Sequence, residues 1–112
     1  MCGITGFWTQ KDRGEIPQII ENMTDTLIHR GPDDSGVWAD KDVGIALGHR
    51  RLSILDLSPK GHQPMFSHSE RFVIVYNGEV YNFKDIKKML AEEGIGFRTD
   101  TDTEVILEAI ER

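Results

Sequence analysis

The alternation of apolar and polar positions divides the chain into short strands and three helices. The segments with strand-like patterns are residues 3–9, 37–39, 43–48, 51–57 and 72–76. Residues 72–76 (FVIVY) are continuously apolar, so we expect a central strand that is buried on both faces. Residues 51–57 alternate apolar and polar side chains, as a half-buried strand does. The polar turn at residues 40–42 predicts a hairpin between the second and third segments.

Apolar residues at intervals of three and four predict amphipathic helices. The first helix spans about residues 17–28, and Pro17 suits its first turn, where no amide donor is required. The second helix carries an apolar stripe formed by Phe83, Ile86, Met89 and Leu90. We expect it to end near Glu93, with Gly94 as a left-handed C-terminal cap.

The third helix begins with a capping-box pattern. Thr101 and Glu104 stand three residues apart, the spacing at which each side chain can bond the backbone amide of the other. The expected core stripe consists of Val105, Ile106, Ala109 and Ile110. Strands outnumber helices, and the two do not alternate regularly along the chain. This order of elements predicts an α+β fold with an antiparallel sheet.

Composition and charge narrow the functional classes. The 112 residues suit one small domain with a net charge of −6, and a single cysteine can form no internal disulfide, so we expect a cytoplasmic protein. No apolar run reaches the roughly 18 residues of a membrane span. Basic residues form no cluster larger than a pair, so nucleic-acid binding is not expected. The four histidines lack paired ligand spacing; no metal site is expected, and each is interpreted as a loop residue or a hydrogen-bond anchor.

Cys2 directly follows the initiator methionine. Removal of Met1 would leave a thiol and a free α-amine on the same residue, which combines a nucleophile with a base. An α-amine and a thiol ordinarily have similar pKa values, so proton transfer between them is nearly balanced. The structural alternative is a buried cysteine at the start of a strand. Position alone favours that alternative, and only the motifs further along the chain reverse the preference.

Asn77 and Gly78 follow the strongest strand pattern and admit two interpretations. Asn-Gly is the strongest short signal for a two-residue hairpin turn. An Asn side-chain amide and a neighbouring backbone N–H are also two donors that can converge on one point, as an oxyanion hole requires. The interpretations are compatible, because a rigid turn also holds its donors in place.

Arg51 and Asp102 carry charges that suit a free α-amino acid. A guanidinium binds a carboxylate through two hydrogen bonds, and the Asp carboxylate can face an ammonium group. The structural alternatives are a solvent-exposed arginine and an aspartate that is favoured at a helix N-terminus.

Two loops rich in Gly and Pro, residues 30–33 and 61–64, also admit two interpretations. Ordered turns are the commoner case, although long ordered loops in a small domain are often functional. An ion pair between Arg30 and Asp33 would fix the first loop, a structural role that we favour over direct catalysis.

Six motifs occur in the order found in one known family. They are residues 1–6 (MCGITG), 29–33 (HRGPD), 51–56 (RLSILD), 61–65 (GHQPM), 76–82 (YNGEVYN) and 101–104 (TDTE). Over essentially the whole chain they resemble the N-terminal glutaminase domain of glutamine-hydrolysing asparagine synthetases, a class II glutamine amidotransferase with the Ntn-hydrolase fold. The HRGPD and RLSI segments favour this branch over the sugar-phosphate and purine-pathway amidotransferases, which share the Cys start. That domain is an αββα sandwich, and by domain size 112 residues would form roughly its first half to two thirds.

The resemblance implies a role for each matching residue. Cys2 is the implied nucleophile, and Asn77 and Gly78 are the implied oxyanion hole. Arg51 and Asp102 are the implied clamps for the α-carboxylate and α-ammonium groups of L-glutamine. The remaining wall of the glutamine pocket is implied to comprise Leu52, Ser53, Ile54, Leu55 and Glu79. The resemblance implies no metal or other cofactor for this part of the protein.

In the family, the ammonia released from glutamine passes to a C-terminal synthetase domain, which requires ATP and Mg²⁺ to make asparagine from aspartate. The 112 residues contain no ATP-pyrophosphatase motif of the Ser-Gly-Gly-Leu-Asp-Ser type, so we expect that domain to be absent from this chain. Strands lacking at the sheet edges would favour self-association, a homodimer included.

Three functions therefore stay open. The first is glutamine hydrolysis that supplies ammonia for amide transfer, with aspartate as the leading acceptor and other acceptors as an alternative. The second is a non-catalytic fragment that binds glutamine or self-associates. The third is a cysteine hydrolase that acts on another amide, which Arg51 and Asp102 argue against because they anticipate an amino-acid head group.

Overall fold

The computed structural model describes residues 2–11, 13–52 and 61–112. Its strands are β1 (Gly3–Trp8), β2 (Asp34–Asp40), β3 (Ile45–Arg51), β4 (Met65–Phe66) and β5 (Val73–Ile74). Its helices are α1 (Ile16–Asp25), which follows a 3-10 turn at Arg13–Glu15, α2 (Phe83–Glu92) and α3 (Asp102–Glu111). These five strands pair antiparallel, so the predicted α+β fold with antiparallel sheet is confirmed.

A three-stranded sheet forms the first half of the molecule. Its order is β1-β3-β2, with β3 in the middle. The β2–β3 connection is the predicted hairpin, and the Asp40 carboxylate fixes its turn by accepting the N–H of Asp42 at 2.9 Å. Because strand side chains alternate between faces, Ala46 and His49 of β3 lie on opposite faces of this sheet.

Helix α1 covers one face of the sheet and builds the apolar core there. Ile16 and Ile20 are fully buried and pack with Ala46, and Phe7 and Ala39 lie against this group. Pro17 stands in the first turn, as predicted. The helix ends three residues before the predicted position, because the amides of residues 26–28 bond carbonyls three residues back and tighten the chain into turns.

The other face of the sheet meets the short β4–β5 pair. The ring of Phe66 in β4 packs edge-on against Trp38 in β2, with the ring centroids 6.4 Å apart. Helix α3 packs against β4 and against α2. As predicted, Gly94 follows the end of α2 with a φ of +95°, the left-handed conformation that glycine adopts without a steric penalty.

The expected central strand at residues 72–76 is wrong in its length and burial. Only Val73 and Ile74 form a strand; they pair with β4 within the described residues, and every side chain of the segment is partly exposed. Two residues of β4 offer too little backbone for a longer ladder. The N–H of Tyr76 bonds the side chain of Gln63 at 2.6 Å rather than another strand.

The start of α3 agrees with the sequence, but its buried stripe does not. Thr101 Oγ1 accepts the N–H of Glu104 at 3.4 Å, which confirms Thr101 as the helix cap. The reciprocal bond of a capping box does not form, because the N–H of Thr101 donates to Thr99 Oγ1 instead of Glu104. Val105 is buried as expected, whereas Ile110 is 58% exposed. Ala109 is also exposed and Ile106 only partly buried. The face that is buried instead consists of Thr103, Glu104, Val105, Leu107 and Glu108.

The two acidic residues on the buried face of α3 are hydrogen-bonded. Glu104 accepts the backbone N–H groups of Arg98 and Thr99 and lies 2.6 Å from His68 Nε2. Glu108 contacts the other nitrogen of the same ring at 3.2 Å. Burial raises the pKa of Glu104, but these donors outweigh it and hold the pKa below its ordinary value.

The strand predicted at residues 51–57 falls largely outside the described residues, because β3 ends at Arg51 and the description resumes at residue 61. In the part of the chain that is described, no helix has both the length and the apolar character needed to cross a membrane.

Candidate active site

The face of the sheet away from α1 carries the candidate site. His49 and Arg51 both lie on this face, two positions apart on β3. Gly3 pairs with Arg50, so Cys2, which immediately precedes β1, comes next to the end of β3. This register brings the amino terminus of the described chain to the residues that follow β3, 50 positions later.

A cavity of about 170 Å³ opens at this point. The residues of its wall that the sequence had singled out are Cys2, Arg51, Leu52, Asn77, Gly78 and Asp102. The other residues of its wall are His49, Gly61, Gln63, Tyr76, Thr101 and Thr103. Four stretches of chain that are distant in sequence therefore contribute to one pocket, together with the loop at residues 61–63.

The surroundings of Cys2 are polar. The N–H of Leu52 points at Cys2 Sγ, with 3.4 Å between nitrogen and sulfur. The backbone carbonyl of Cys2 accepts two donors, Asn77 Nδ2 at 3.0 Å and Arg30 Nε at 3.2 Å. Cys2 is partly exposed rather than buried, which does not fit the alternative of a cysteine that only packs in the core. Arg30 reaches this carbonyl, a contact that the sequence did not suggest.

Asn77 and Gly78 do not form a hairpin turn in the described structure. The segment from residue 75 to residue 80 is not strand, so the Asn-Gly pair does not join two paired strands. Instead the Asn77 side chain crosses to Cys2. An Asn amide has two N–H groups, so one of them can hold the Cys2 carbonyl while the other points elsewhere.

Arg51 and Asp102 line the same cavity from different elements. Gly61 lies against the Arg51 guanidinium, since a β-carbon at position 61 would come within 2.5 Å of Nη2. Asp102 is the first residue of α3, and its Oδ2 accepts the N–H of Val80 at 3.0 Å. The carboxylate thereby ties the start of α3 to the segment that follows Gly78.

Glu79 does not line the cavity that contains Cys2. It lines a neighbouring cavity of about 500 Å³, which shares Gly78, Thr101 and Asp102 with the first. Ser53, Ile54 and Leu55 lie outside the described residues.

His49 is a wall residue that sequence reasoning did not place. It is a strand residue with 1% of its surface exposed, so the interpretation as a loop residue is wrong for this histidine. Burial lowers the pKa of its imidazole below 6.5, although a hydrogen bond to the backbone of Tyr76 and the charge of Asp34 act in the opposite direction. Its Nε2 has no hydrogen-bond partner among the described residues. A buried ring in the wall of the same cavity as Cys2 leaves no periodic signal in the sequence.

The loop from residue 61 to residue 64 is fixed by side-chain contacts. His62 Nδ1 lies 2.6 Å from the carboxylate of Asp34 in β2. Burial raises the pKa of Asp34, but the bonds to His62 and to the Ser35 N–H outweigh it and lower the pKa overall. Gln63 is buried and its side chain bonds both Tyr76 and Thr103. The composition of the loop had suggested order or function, but not these partners.

The whole chain matches the family model described as a glutamine amidotransferase domain, over residues 1–112. The chain belongs to this family. It is 44% identical over 111 residues to asparagine synthetase [glutamine-hydrolyzing] 3 of Bacillus subtilis, covering 96% of this chain and 17% of that protein. It is 42% identical over 123 residues to putative asparagine synthetase [glutamine-hydrolyzing] 2 of Methanocaldococcus jannaschii, covering 96% of this chain and 23% of the relative.

A third relative carries a different name. The chain is 37% identical over 117 residues to amidase chry2 of Gibberella zeae, covering 96% of this chain and 17% of that protein. The chain thus spans between about a sixth and a quarter of the length of these three relatives. The resemblance inferred from the six motifs is confirmed at the level of the family.

Proposed function

We propose that this glutamine amidotransferase domain hydrolyses the side-chain amide of L-glutamine to glutamate and ammonia, with Cys2 as the nucleophile. One observation carries the proposal. A single cavity gathers a thiol, an Asn-Gly pair, a guanidinium and a carboxylate, on Cys2, Asn77, Gly78, Arg51 and Asp102. These are the groups needed to attack an amide and to hold the two charges of a free amino acid.

Binding would orient glutamine with its head group at one end of the cavity. Arg51 would hold the α-carboxylate through two hydrogen bonds. Asp102 uses Oδ2 for the N–H of Val80, and its second oxygen would bind the α-ammonium. The side chain of glutamine would then extend toward Cys2.

The reaction would proceed through a thioester. Once Met1 is removed, the α-amine of Cys2 takes the thiol proton, and the thiolate attacks the amide carbon of glutamine. The Asn77 amide and the N–H of Gly78 would stabilise the oxyanion. The protonated amine then donates its proton to the amide nitrogen of glutamine, which leaves as ammonia when the C–N bond breaks. Water hydrolyses the glutamyl thioester, which releases glutamate and restores the thiol.

The use of the ammonia is a further part of the proposal. Because two of the relatives are named as glutamine-hydrolysing asparagine synthetases, we propose that the ammonia serves asparagine synthesis in a longer protein. ATP and Mg²⁺ would act in that synthetase part. The relative named as an amidase supports a second candidate, amide transfer to an acceptor other than aspartate.

The test is covalent labelling with an electrophilic glutamine analogue that carries a diazoketone in place of the side-chain amide. We expect one adduct per chain, located on Cys2 by peptide mass spectrometry, in molecules whose intact mass shows the loss of Met1. Free L-glutamine should suppress the labelling, and L-asparagine should not. Asp102→Asn should weaken the protection by glutamine while iodoacetamide still alkylates Cys2.

An adduct on another residue, or an adduct on Cys2 that glutamine does not suppress, would contradict the proposal. Full labelling of molecules that retain Met1 would contradict the role of the α-amine as the base.

A further inference from the structure

Gln63 lines the candidate pocket and bonds two of the segments that form it, the segment before Asn77 and the start of α3. Its side chain is buried, with 8% of the residue exposed. Its Oε1 accepts the N–H of Tyr76 at 2.6 Å, and its Nε2 donates to Thr103 Oγ1 at 3.4 Å. A backbone N–H can only donate, so the amide orientation is fixed: its oxygen faces Tyr76 and its nitrogen faces Thr103.

Each of these partners is the chain neighbour of a proposed functional residue. Tyr76 precedes Asn77, the proposed oxyanion donor. Thr103 follows Asp102, the proposed ammonium ligand, and is itself only 4% exposed. One carboxamide therefore links the oxyanion side of the pocket to its head-group side.

The backbone at Tyr76 needs such support, because the strand before it is very short. β5 ends at Ile74, so Tyr76 lies outside the ladder that would otherwise bond its N–H. An unpaired backbone N–H in a partly buried segment is costly. Gln63 supplies the acceptor, and the buried ring of His49 hydrogen-bonds the backbone of the same residue.

We infer that Gln63 is a positioning residue for glutamine hydrolysis, holding the Asn77–Gly78 segment at a fixed distance from the N-terminus of α3. The inference rests on the proposed function and deepens it. An oxyanion hole depends on donors that are already in place when charge develops, so movement of this segment lowers turnover even when the donors themselves are intact. Gln63 does not touch the reacting atoms in this account; it acts through Tyr76 and Thr103.

Two substitutions separate the two contacts. Gln63→Met keeps the length of the side chain and removes both hydrogen bonds. Thr103→Val keeps the shape of Thr103 and removes only the contact on α3. Gln18→Met is the matched control, since Gln18 is an exposed glutamine of α1 that bonds Asn22 one turn away.

The kinetic readouts are kcat and KM for glutamine, compared with the rate at which iodoacetamide alkylates Cys2. For Gln63→Met we expect kcat to fall roughly 10- to 100-fold, less than the ~100- to 1000-fold loss on removing an oxyanion donor outright. The alkylation rate should not change, because that reaction forms no oxyanion. Thr103→Val should mainly raise KM, and Gln18→Met should match the parent in all three quantities.

Amide hydrogen exchange gives a readout that does not depend on activity. In Gln63→Met the N–H of Tyr76 should exchange several-fold faster than in the parent. The N–H of Phe72, which bonds Ser67 Oγ at 3.1 Å in the same layer, should keep its rate. Loosening of the whole layer would accelerate hydrogen exchange at both amides.

Unchanged kcat in Gln63→Met would overturn the inference. So would a loss of kcat that comes with a lower alkylation rate and faster exchange at Phe72, because that result describes general destabilisation. If the parent itself neither hydrolyses glutamine nor reacts with the diazoketone, the proposed function fails. In that case, faster exchange at Tyr76 but not at Phe72 in Gln63→Met would still show that Gln63 holds the Asn77–Gly78 segment. Equal acceleration of exchange at both amides would show that it does not.

Discussion

The two faces of the three-stranded sheet are stabilised in different ways. On the α1 side, Ile16, Ile20 and Ala46 are fully buried and form an apolar core. On the other side, buried polar side chains stand among the apolar ones, and several of them bond backbone groups of loops. These are His49, Gln63, Ser67, Thr103, Glu104 and Glu108. The apolar face also buries two polar side chains, Thr24 and Arg50, but it depends mainly on the amount of surface removed from water, whereas the polar face depends mainly on individual hydrogen bonds.

The difference matters for function, because the candidate site lies on the polar face. An apolar contact is not directional, so it can stabilise a fold without fixing the position of a loop. A hydrogen bond from a buried side chain to a loop amide sets that position. The contacts of Glu104 to residues 98 and 99 and of Gln63 to Tyr76 are of this kind.

The largest expected effect on stability tests the apolar face. Ile20→Ala should lower the free energy of unfolding by about 2–5 kcal/mol, because it removes buried methyl groups and leaves a cavity. Urea denaturation of both proteins measures it. The matched control is Ile19→Ala at the preceding position of α1, where the side chain is 37% exposed, and it should change stability by only about 0.5 kcal/mol. Similar losses at both positions would contradict a core confined to the inner side of α1.

The polar face is tested by Glu104→Gln, a substitution that keeps the size of the side chain. We expect a loss of about 2–3 kcal/mol near neutral pH, since the carboxylate accepts several hydrogen bonds and an amide nitrogen would face one of these donors. Glu92→Gln, at an exposed position of α2, is the control and should have no measurable effect.

The loss of stability in Glu104→Gln should depend on pH. The pKa of Glu104 is lower in the folded protein than its ordinary value of 4.5, so its contribution is fully present above about pH 4.5. The contribution disappears as the pH falls through the folded pKa, where the parent also becomes protonated. The difference between the parent and Glu104→Gln should therefore shrink below pH 4.5, while the cost of Ile20→Ala should stay constant. A pH-independent cost at Glu104 would contradict the role of its charge.

The sequence predicted the apolar face better than the polar one. Apolar residues at helical spacing predicted a helix at about residues 17–28, because hydrophobic periodicity reflects burial directly. The polar turn at residues 40–42 predicted the β2–β3 hairpin. The same rule failed for α3. It counts only apolar residues, and it missed that Glu104 and Glu108 are buried against His68. The rule also failed for residues 72–76, because it predicted a central strand from a continuous apolar run.

The candidate site was predicted through motifs rather than periodicity. Those motifs pointed to Cys2, Arg51, Asn77 and Asp102, which the fold brings to one cavity. Gln63 lay within a motif, but nothing in its sequence context indicated that its amide joins Tyr76 and Thr103. Such contacts depend on how distant segments meet in space, which local spacing does not encode.

Release of ammonia from L-glutamine, measured for the parent and for Cys2→Ser, tests whether Cys2 is the nucleophile. We predict that the parent releases ammonia in proportion to glutamate and that Cys2→Ser loses this activity while it keeps the thermal stability of the parent. Release of ammonia by Cys2→Ser at the rate of the parent would contradict the account, because the attacking atom would then not be the sulfur of Cys2.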